Sequence, residues 1–352
     1  MADAGRQFAQ ARVVAVYCIH GTFCGNDVLG LLTELSRVAP RLSERLRRVG
    51  KALVDVVLGE TGNYSPSFVA RMERLLEAGA GRPLPVRLFH WSSQNNHVAR
   101  SDGAVRLIDE LARLAESLPA DPFSSDAPAR VLLWGHSHGG NVLALLSNLL
   151  GADATTRGEF FQAAHSFYRK RGSHQVDIPV WQRVEQLLGE PAHALRNLKF
   201  DMVTFGTPVR YGWDAGGYAQ LLHLVDHRPR GDGPEYLAPF PPRLCRQLVG
   251  RDGDLIQQIG IAGTNFPPLP LAVRTFAADR QLAPLLEREL TRHWVLWRLR
   301  RGVRVPDEGT TLLIDYDDPS RFPWRHLFGH ALYTRSRWLP RHCAFIAEHF
   351  YR

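Results

Sequence analysis

The chain alternates between short apolar runs and longer stretches of helical periodicity. Residues 13–19 form a continuous, β-branched apolar run (Val13, Val14, Ala15, Val16, Tyr17, Cys18, Ile19), the signature of a strand buried on both faces. Residues 85–91, 129–134, 200–205, 244–249 and 310–315 predict five further strands by the same pattern. Helical spacing spans 29–57, broken at Pro40, and then 104–118, 139–150, 282–299 and a closing 343–350. Strands that alternate with helices predict an α/β architecture with a doubly wound, mostly parallel sheet. In such sheets ligands bind beyond the carboxyl ends of the strands.

Residues 151–198 interrupt this rhythm. They are polar, with helical character, and carry Phe160, Phe161, Phe167, Tyr168 and Trp181. The stretch reads as a helical insert within one domain spanning 1–352. Its aromatics suit either the core of a small helical subdomain or a cap that covers a site and lines an acyl pocket.

Composition changes the picture only modestly. Hydrophobic residues make up 45% of the 352, an ordinary globular content. The net charge of +8 comes almost entirely from arginine, concentrated at 41–51 and 292–304. These segments fit two solvated helix faces, or attraction to an anionic surface such as phospholipid headgroups. No zinc-finger or RNA-recognition signature accompanies the charge, so nucleic acid is not an expected partner. The four cysteines, at 18, 24, 245 and 343, form no Cys-x-x-Cys pair and read as reduced, buried thiols. The first apolar run ends in His-Gly without a small-residue cleavage site, and no uncharged run reaches membrane-spanning length. The expected compartment is therefore the cytoplasm.

The chemistry concentrates just after predicted strands. Gly135-His136-Ser137-His138-Gly139 fits Gly-x-Ser-x-Gly between an apolar strand and an apolar helix. That arrangement makes a tight strand-to-helix turn and exposes the serine beside a helix N-terminus, where developing negative charge is favoured. An acyl-transfer transition state also needs two N–H donors facing the former carbonyl oxygen. His138, following the serine, supplies one. Thr22 in His20-Gly21-Thr22-Phe23 is the candidate for the other, with Phe23 next to it. His20 is expected to orient this loop. His136 and His138 lie close to each other, but no ligand pattern nearby argues for a metal.

A serine nucleophile requires a histidine base, and the histidine a carboxylate. In the chain order serine, acid, histidine, the base follows the last strand. His330, after Gly329 and just before the closing helix, is the leading candidate, and His326 the second. His342 and His349 fall on or beside that helix. For the acid, Asp254 and Asp252 follow the predicted 244–249 strand, and Asp226 lies one segment earlier.

The segments His20-Gly21-Thr22-Phe23, Gly135–Gly139, Phe205-Gly206-Thr207-Pro208 and Gly329-His330-Ala331-Leu332-Tyr333 together resemble lipases and esterases of the α/β-hydrolase superfamily. Phe89-His90-Trp91-Ser92, followed by Asn95, is similar to a strand-end segment of lipase-like bacterial members. The resemblance implies the α/β-hydrolase fold. It also implies cofactor-free hydrolysis of a lipid or other hydrophobic carboxylic ester through an acyl-enzyme, with Phe23 and Asn95 near the substrate. A thioesterase or acyltransferase would use the same residues. A catalytically silent binding protein on the same fold is the reading from another class.

Overall fold

The computed structural model describes residues 2–22, 24–27, 30–118, 128–170, 175–208, 210–228, 233–238, 253–261, 265–287, 304–318, 322 and 326–352. In chain order the elements are α1 (Ala2–Gln10), β1 (Val13–Ile19), α2 (Leu31–Ser36), α3 (Pro40–Leu58), α4 (Pro66–Ala80), β2 (Val86–Phe89), α5 (His97–Ser117), β3 (Ala129–His136) and α6 (His138–Gly151). There follow α7 (Ala154–Tyr168), α8 (Pro179–Gly189), β4 (Leu198–Phe205), β5 (Gln220–Asp226), α9 (Leu255–Ile261), α10 (Val273–Leu286), β6 (Thr310–Ile314) and α11 (Leu339–Phe350).

All six strands are parallel, in the order β2-β1-β3-β4-β5-β6. The chain starts near the middle, moves outward to β2, and returns across β1 to β3. The order therefore reverses between β1 and β3, the crevice where open α/β sheets place their ligands. Side-chain alternation divides the core between the two faces. Ala15, Tyr17, Ile19, Val131 and Leu133 pack with α5, α6, α7, α8 and α10. Val16, Cys18, Leu132, Trp134 and Phe205 pack with α1, α4 and α11. Helices thus cover both faces of the sheet, as a doubly wound fold requires.

Residues 151–198 belong to the first of these layers. Phe160, Phe161, Phe167 and Tyr168 surround Trp181, with ring centroids 5.3–6.1 Å from it. The indole Nε1 of Trp181 donates to Asp102 Oδ1 of α5 at 2.8 Å. The insert is therefore fastened to the sheet-covering helix, and its aromatics form core.

The expected 244–249 strand and most of the 282–299 helix lie outside the described residues. Conversely, β5 went unread because His223 interrupts its apolar run. His223 is buried as a neutral ring: Thr204 Oγ1 donates to its Nδ1 at 2.6 Å, and its Nε2 donates to the Glu308 carbonyl at 3.2 Å. Burial pushes its pKa down to about 4. Cys18, Cys24 and Cys343 are free and buried, while Cys245 lies outside the described residues. Among the described residues no helix is long and apolar enough to cross a membrane.

Burial also holds His136 and His342 down to about 3. The unfolded chain takes up these protons near pH 6.5, whereas the folded chain does not, so stability falls as pH drops below that value. Each such histidine should contribute a slope of about 1.4 kcal/mol per pH unit. Thermal melts between pH 7.5 and 5 should show a falling Tm, and His342→Phe should make that fall shallower. A slope unchanged by the substitution would show that His342 is not buried neutral.

Candidate active site

Main-chain geometry at the end of β3 builds the site. Ser137 sits between β3 and α6 with φ 54° and ψ −130°, a conformation rarely adopted by residues with a side chain. Its neighbours leave no room for alternatives. A Cβ on Gly139 would lie 2.5 Å from the Ile19 carbonyl oxygen, and one on Gly135 2.9 Å from the Gly140 nitrogen. On Gly21 it would lie 2.7 Å from Ser137 Cβ. The loop after β1 is thereby pressed against the turn after β3, backbone to backbone.

The histidines that flank Ser137 diverge. His136 Nε2 donates to the His330 carbonyl at 3.0 Å, and the two rings lie 4.7 Å apart. His138, on the other side, has Nδ1 accepting from Asn141 Nδ2 at 3.1 Å. Its proton affinity is lowered well below that of an ordinary histidine by burial, then by the nearby Arg100 and Arg210 cations. Among the described residues no group of three metal-ligating side chains exists.

His330 and Asp254 are joined. His330 Nδ1 donates to Asp254 Oδ2 at 2.7 Å, and both side chains are buried. Two close backbone approaches deliver them. Asp254 N donates to the Asp226 carbonyl at the end of β5 at 2.9 Å, and Leu255 N donates to the Phe328 carbonyl at 3.0 Å. Leu327, Phe328 and Gly329 all have positive φ, a sharp turn that sets His330 down beside His136. A Cβ on Gly329 would meet the Gly253 oxygen at 2.6 Å. Among the described residues Ser137 and His330 are not hydrogen-bonded to each other; they share His136 as neighbour. Such contacts often tighten only when substrate binds.

The remaining candidates take other places. His326 Nδ1 accepts from Gly329 N at 3.2 Å and so shapes the turn before His330. His342 bonds the Tyr316 hydroxyl, and His349 lies on the outer part of α11. Asp226 Oδ2 is buried with no hydrogen-bond partner. Burial, and then the neighbouring Asp254, raise its pKa well above the usual carboxylate range. Asp252 and Phe23 lie outside the described residues.

A cavity of about 190 Å³ opens beside Ser137, lined by Thr22, Asn95 and His138 as well as Pro208, Ile256 and Phe266. Its lining includes Ile259 and Gly260 of α9 and, among the described residues, none of 151–198. Asn95 is fixed from behind: its Oδ1 accepts from the fully buried Arg100 at 2.7 Å, and its carbonyl accepts from Phe266 N at 2.7 Å. Arg100 also donates to the Tyr211 hydroxyl and to Asn265 Oδ1, each at 2.7 Å. On the loop after β1, His20 Nδ1 donates to the Gly21 carbonyl at 3.0 Å, and the His20 carbonyl accepts from Trp91 Nε1 at 2.8 Å. These bonds tie the His20 ring to the adjacent Gly21 carbonyl and the His20 backbone to Trp91.

Sequence reasoning gave no role to Tyr333, although it closes the segment that contains His330. Its hydroxyl accepts from Asp226 N at 2.7 Å and lies 3.1 Å from Asp254 Oδ2. The amide can only donate, so the single hydroxyl proton is directed at Asp254. Asp254 Oδ1 accepts from Gln257 N at 2.8 Å. The carboxylate is thus held by three donors: His330, Tyr333 and a main-chain amide.

The chain matches no family model, no curated protein and no solved structure.

Gly206 admits little change in this packing. It has φ 57°, and a Cβ there would lie 2.4 Å from Tyr333 Cε2 and 2.5 Å from Asp254 Oδ2. Gly206→Ala should cost about 2–4 kcal/mol through strain and overpacking. Gly158→Ala, in α7 with nothing within 4 Å, should be neutral or stabilise by up to ~1 kcal/mol. Urea titration of both variants tests this; equal effects would refute the close packing around Gly206.

Proposed function

We propose that the chain is a serine hydrolase of the α/β-hydrolase fold that cleaves a hydrophobic carboxylic ester through an acyl-enzyme intermediate. The observation that carries this reading is the strained Ser137 at the strand-to-helix turn, with the His330–Asp254 pair 2.7 Å long packed beside the same histidine neighbour, His136.

In the proposed reaction Ser137 Oγ attacks the ester carbonyl carbon as His330 Nε2 accepts the hydroxyl proton. The main-chain N–H groups of Thr22 and His138 stabilise the resulting oxyanion, aided by the dipole of α6. His330 then protonates the departing alkoxide, which leaves as the alcohol. Water, deprotonated by His330, attacks the acyl-enzyme. Collapse of the second tetrahedral intermediate releases the acid and returns the proton to Ser137. Asp254 keeps the Nδ1 proton in place and stabilises the charged ring. Tyr333 and Gln257 hold Asp254. Pro208, Ile256, Ile259 and Phe266 offer an apolar wall for the acyl part, so an uncharged acyl chain is the favoured substrate class.

A fluorophosphonate probe should label the wild type and leave Ser137→Ala unlabelled. Hydrolysis of a p-nitrophenyl acyl ester should fall on the order of 10⁴-fold or more in kcat in that variant. Labelling elsewhere with full activity retained would end the hydrolase reading, and absence of any labelling would favour a binding protein.

Asp254→Asn should lower kcat by at least ~10²-fold, because the amide favours the wrong imidazole tautomer. Tyr333→Phe removes one donor to a charged acceptor and should lower kcat by about 10-fold with KM unchanged. If KM alone rose, Tyr333 would be acting on binding instead of on Asp254.

A further inference from the structure

Helix α3 lies on the protein the wrong way round for a soluble surface helix. Leu42, Leu46, Val49, Leu53, Val56 and Val57 recur every three or four residues, and each is between 42% and 81% exposed. At 3.6 residues per turn they occupy one stripe about 100° wide. The polar face of the same helix is the one turned inward. Ser43 Oγ donates to the Leu32 carbonyl at 2.6 Å, and Arg47 donates to Thr33 Oγ1 at 2.9 Å. Lys51 Nζ donates to Asp55 at 2.6 Å and to Asn63 Oδ1 at 3.0 Å. The buried polar contacts fix the rotation of the helix, so the apolar stripe faces outward by construction.

We propose that this face docks α3 onto an anionic lipid surface. Charge complementarity selects that occupant. Arg41, Arg45 and Arg48 are exposed and fall along one edge of the stripe, where their heads reach the headgroups while the stripe enters the acyl boundary. A second copy of the chain fits less well. The stripe is wider than a coiled-coil seam, its opposite edge carries Ser43, Gly50 and Val54, and the carboxylate beside the arginines, Glu44, is already paired with Arg48.

Hydrogen bonds link α3 to the surroundings of the cavity, beginning with Arg47 to Asp27 at 3.4 Å. Asp27, just beyond the Thr22 loop, accepts from Leu32 N at 3.0 Å and Thr33 N at 2.7 Å, tying the α2–α3 pair to that loop. Thr275 Oγ1 donates to Glu34 Oε1 at 2.6 Å, tying α10 to α2. Near α10 lie further exposed apolar side chains, Phe266 of the cavity rim and Leu271. This inference stands apart from ester hydrolysis, since its readout is binding.

The experiment is co-sedimentation of the full chain with sucrose-loaded phosphatidylcholine vesicles, with and without phosphatidylserine. Binding is expected to need phosphatidylserine and to weaken as salt rises. The Leu46→Asp/Leu53→Asp variant should bind at least ~10-fold more weakly. The Arg41→Glu/Arg45→Glu/Arg48→Glu variant should lose on the order of 10²-fold. All these positions are solvent-facing, so Tm and the rate on a soluble short-chain ester should match the wild type. The proposal falls if the wild type does not bind these vesicles, or if both variants bind as it does. It also falls if analytical ultracentrifugation finds a wild-type dimer that Leu46→Asp/Leu53→Asp dissolves while vesicle binding is absent; the stripe would then be an interface between copies.

Discussion

A serine held at φ 54° and ψ −130° persists only where surrounding structure leaves it no alternative, and everything at the carboxyl edge of this sheet follows from how that is done. The constraint is backbone against backbone. Gly139 lies against the Ile19 carbonyl, Gly135 against the start of α6, and Gly21 against Ser137 itself. These contacts fix the distance between the β1 loop and the β3 turn more firmly than side-chain packing could, because no rotamer change relieves them. Further along the edge, Gly206 and Gly329 let Tyr333, Asp254 and the Gly253 carbonyl approach equally closely. The position of His330 is thus transmitted from β5 through main-chain contacts.

The same edge is managed electrostatically by keeping most of its ionisable groups neutral. Burial lowers the proton affinity of His20, His136 and His138 and raises that of Asp226. Asp254 differs from Asp226 in having donors around it: His330, Tyr333 and the Gln257 amide. The two aspartates, joined through the Asp254 N to Asp226 carbonyl hydrogen bond, thus sit among different partners. On the pocket side, the buried Arg100 and Arg210 form the lasting positive charge, partly balanced by Glu287, which pairs with Arg210. That charge lies behind Asn95 and His138 and favours negative charge developing in the cavity.

The parts of this arrangement legible in the sequence were those that depend on local pattern. Continuous apolar runs announced β1, β3 and β4, and the spacing of glycines around Ser137 announced the turn, because both are set by neighbours in the chain. His330 and Asp254 were legible through the order in which such residues occur, and the structure joins them. What was not legible depends on partners far away in sequence. β5 hides behind His223, whose burial is made tolerable by Thr204 and the Glu308 carbonyl. Asp254 meets His330 and Tyr333, residues 76 and 79 positions further along the chain. The aromatics of 151–198 left two placements open, and the Trp181–Asp102 hydrogen bond, linking residues 79 apart, decides for the core.

Helix α3 carries the same lesson in the opposite direction. Its periodicity predicts an amphipathic helix, and periodicity alone would turn the apolar stripe inward. The polar partners reverse it. Asp27, Thr33 and Asn63 occupy the surface beneath the helix, and Arg47 and Lys51 can be satisfied only by facing them. Rotating α3 to bury its leucines and valines would take Arg47 away from Asp27 and Thr33, and Lys51 away from Asn63. Burying unpaired charge costs more than exposing a stripe of methyl groups to water. The outward apolar face is therefore a consequence of polar residues placed beneath it.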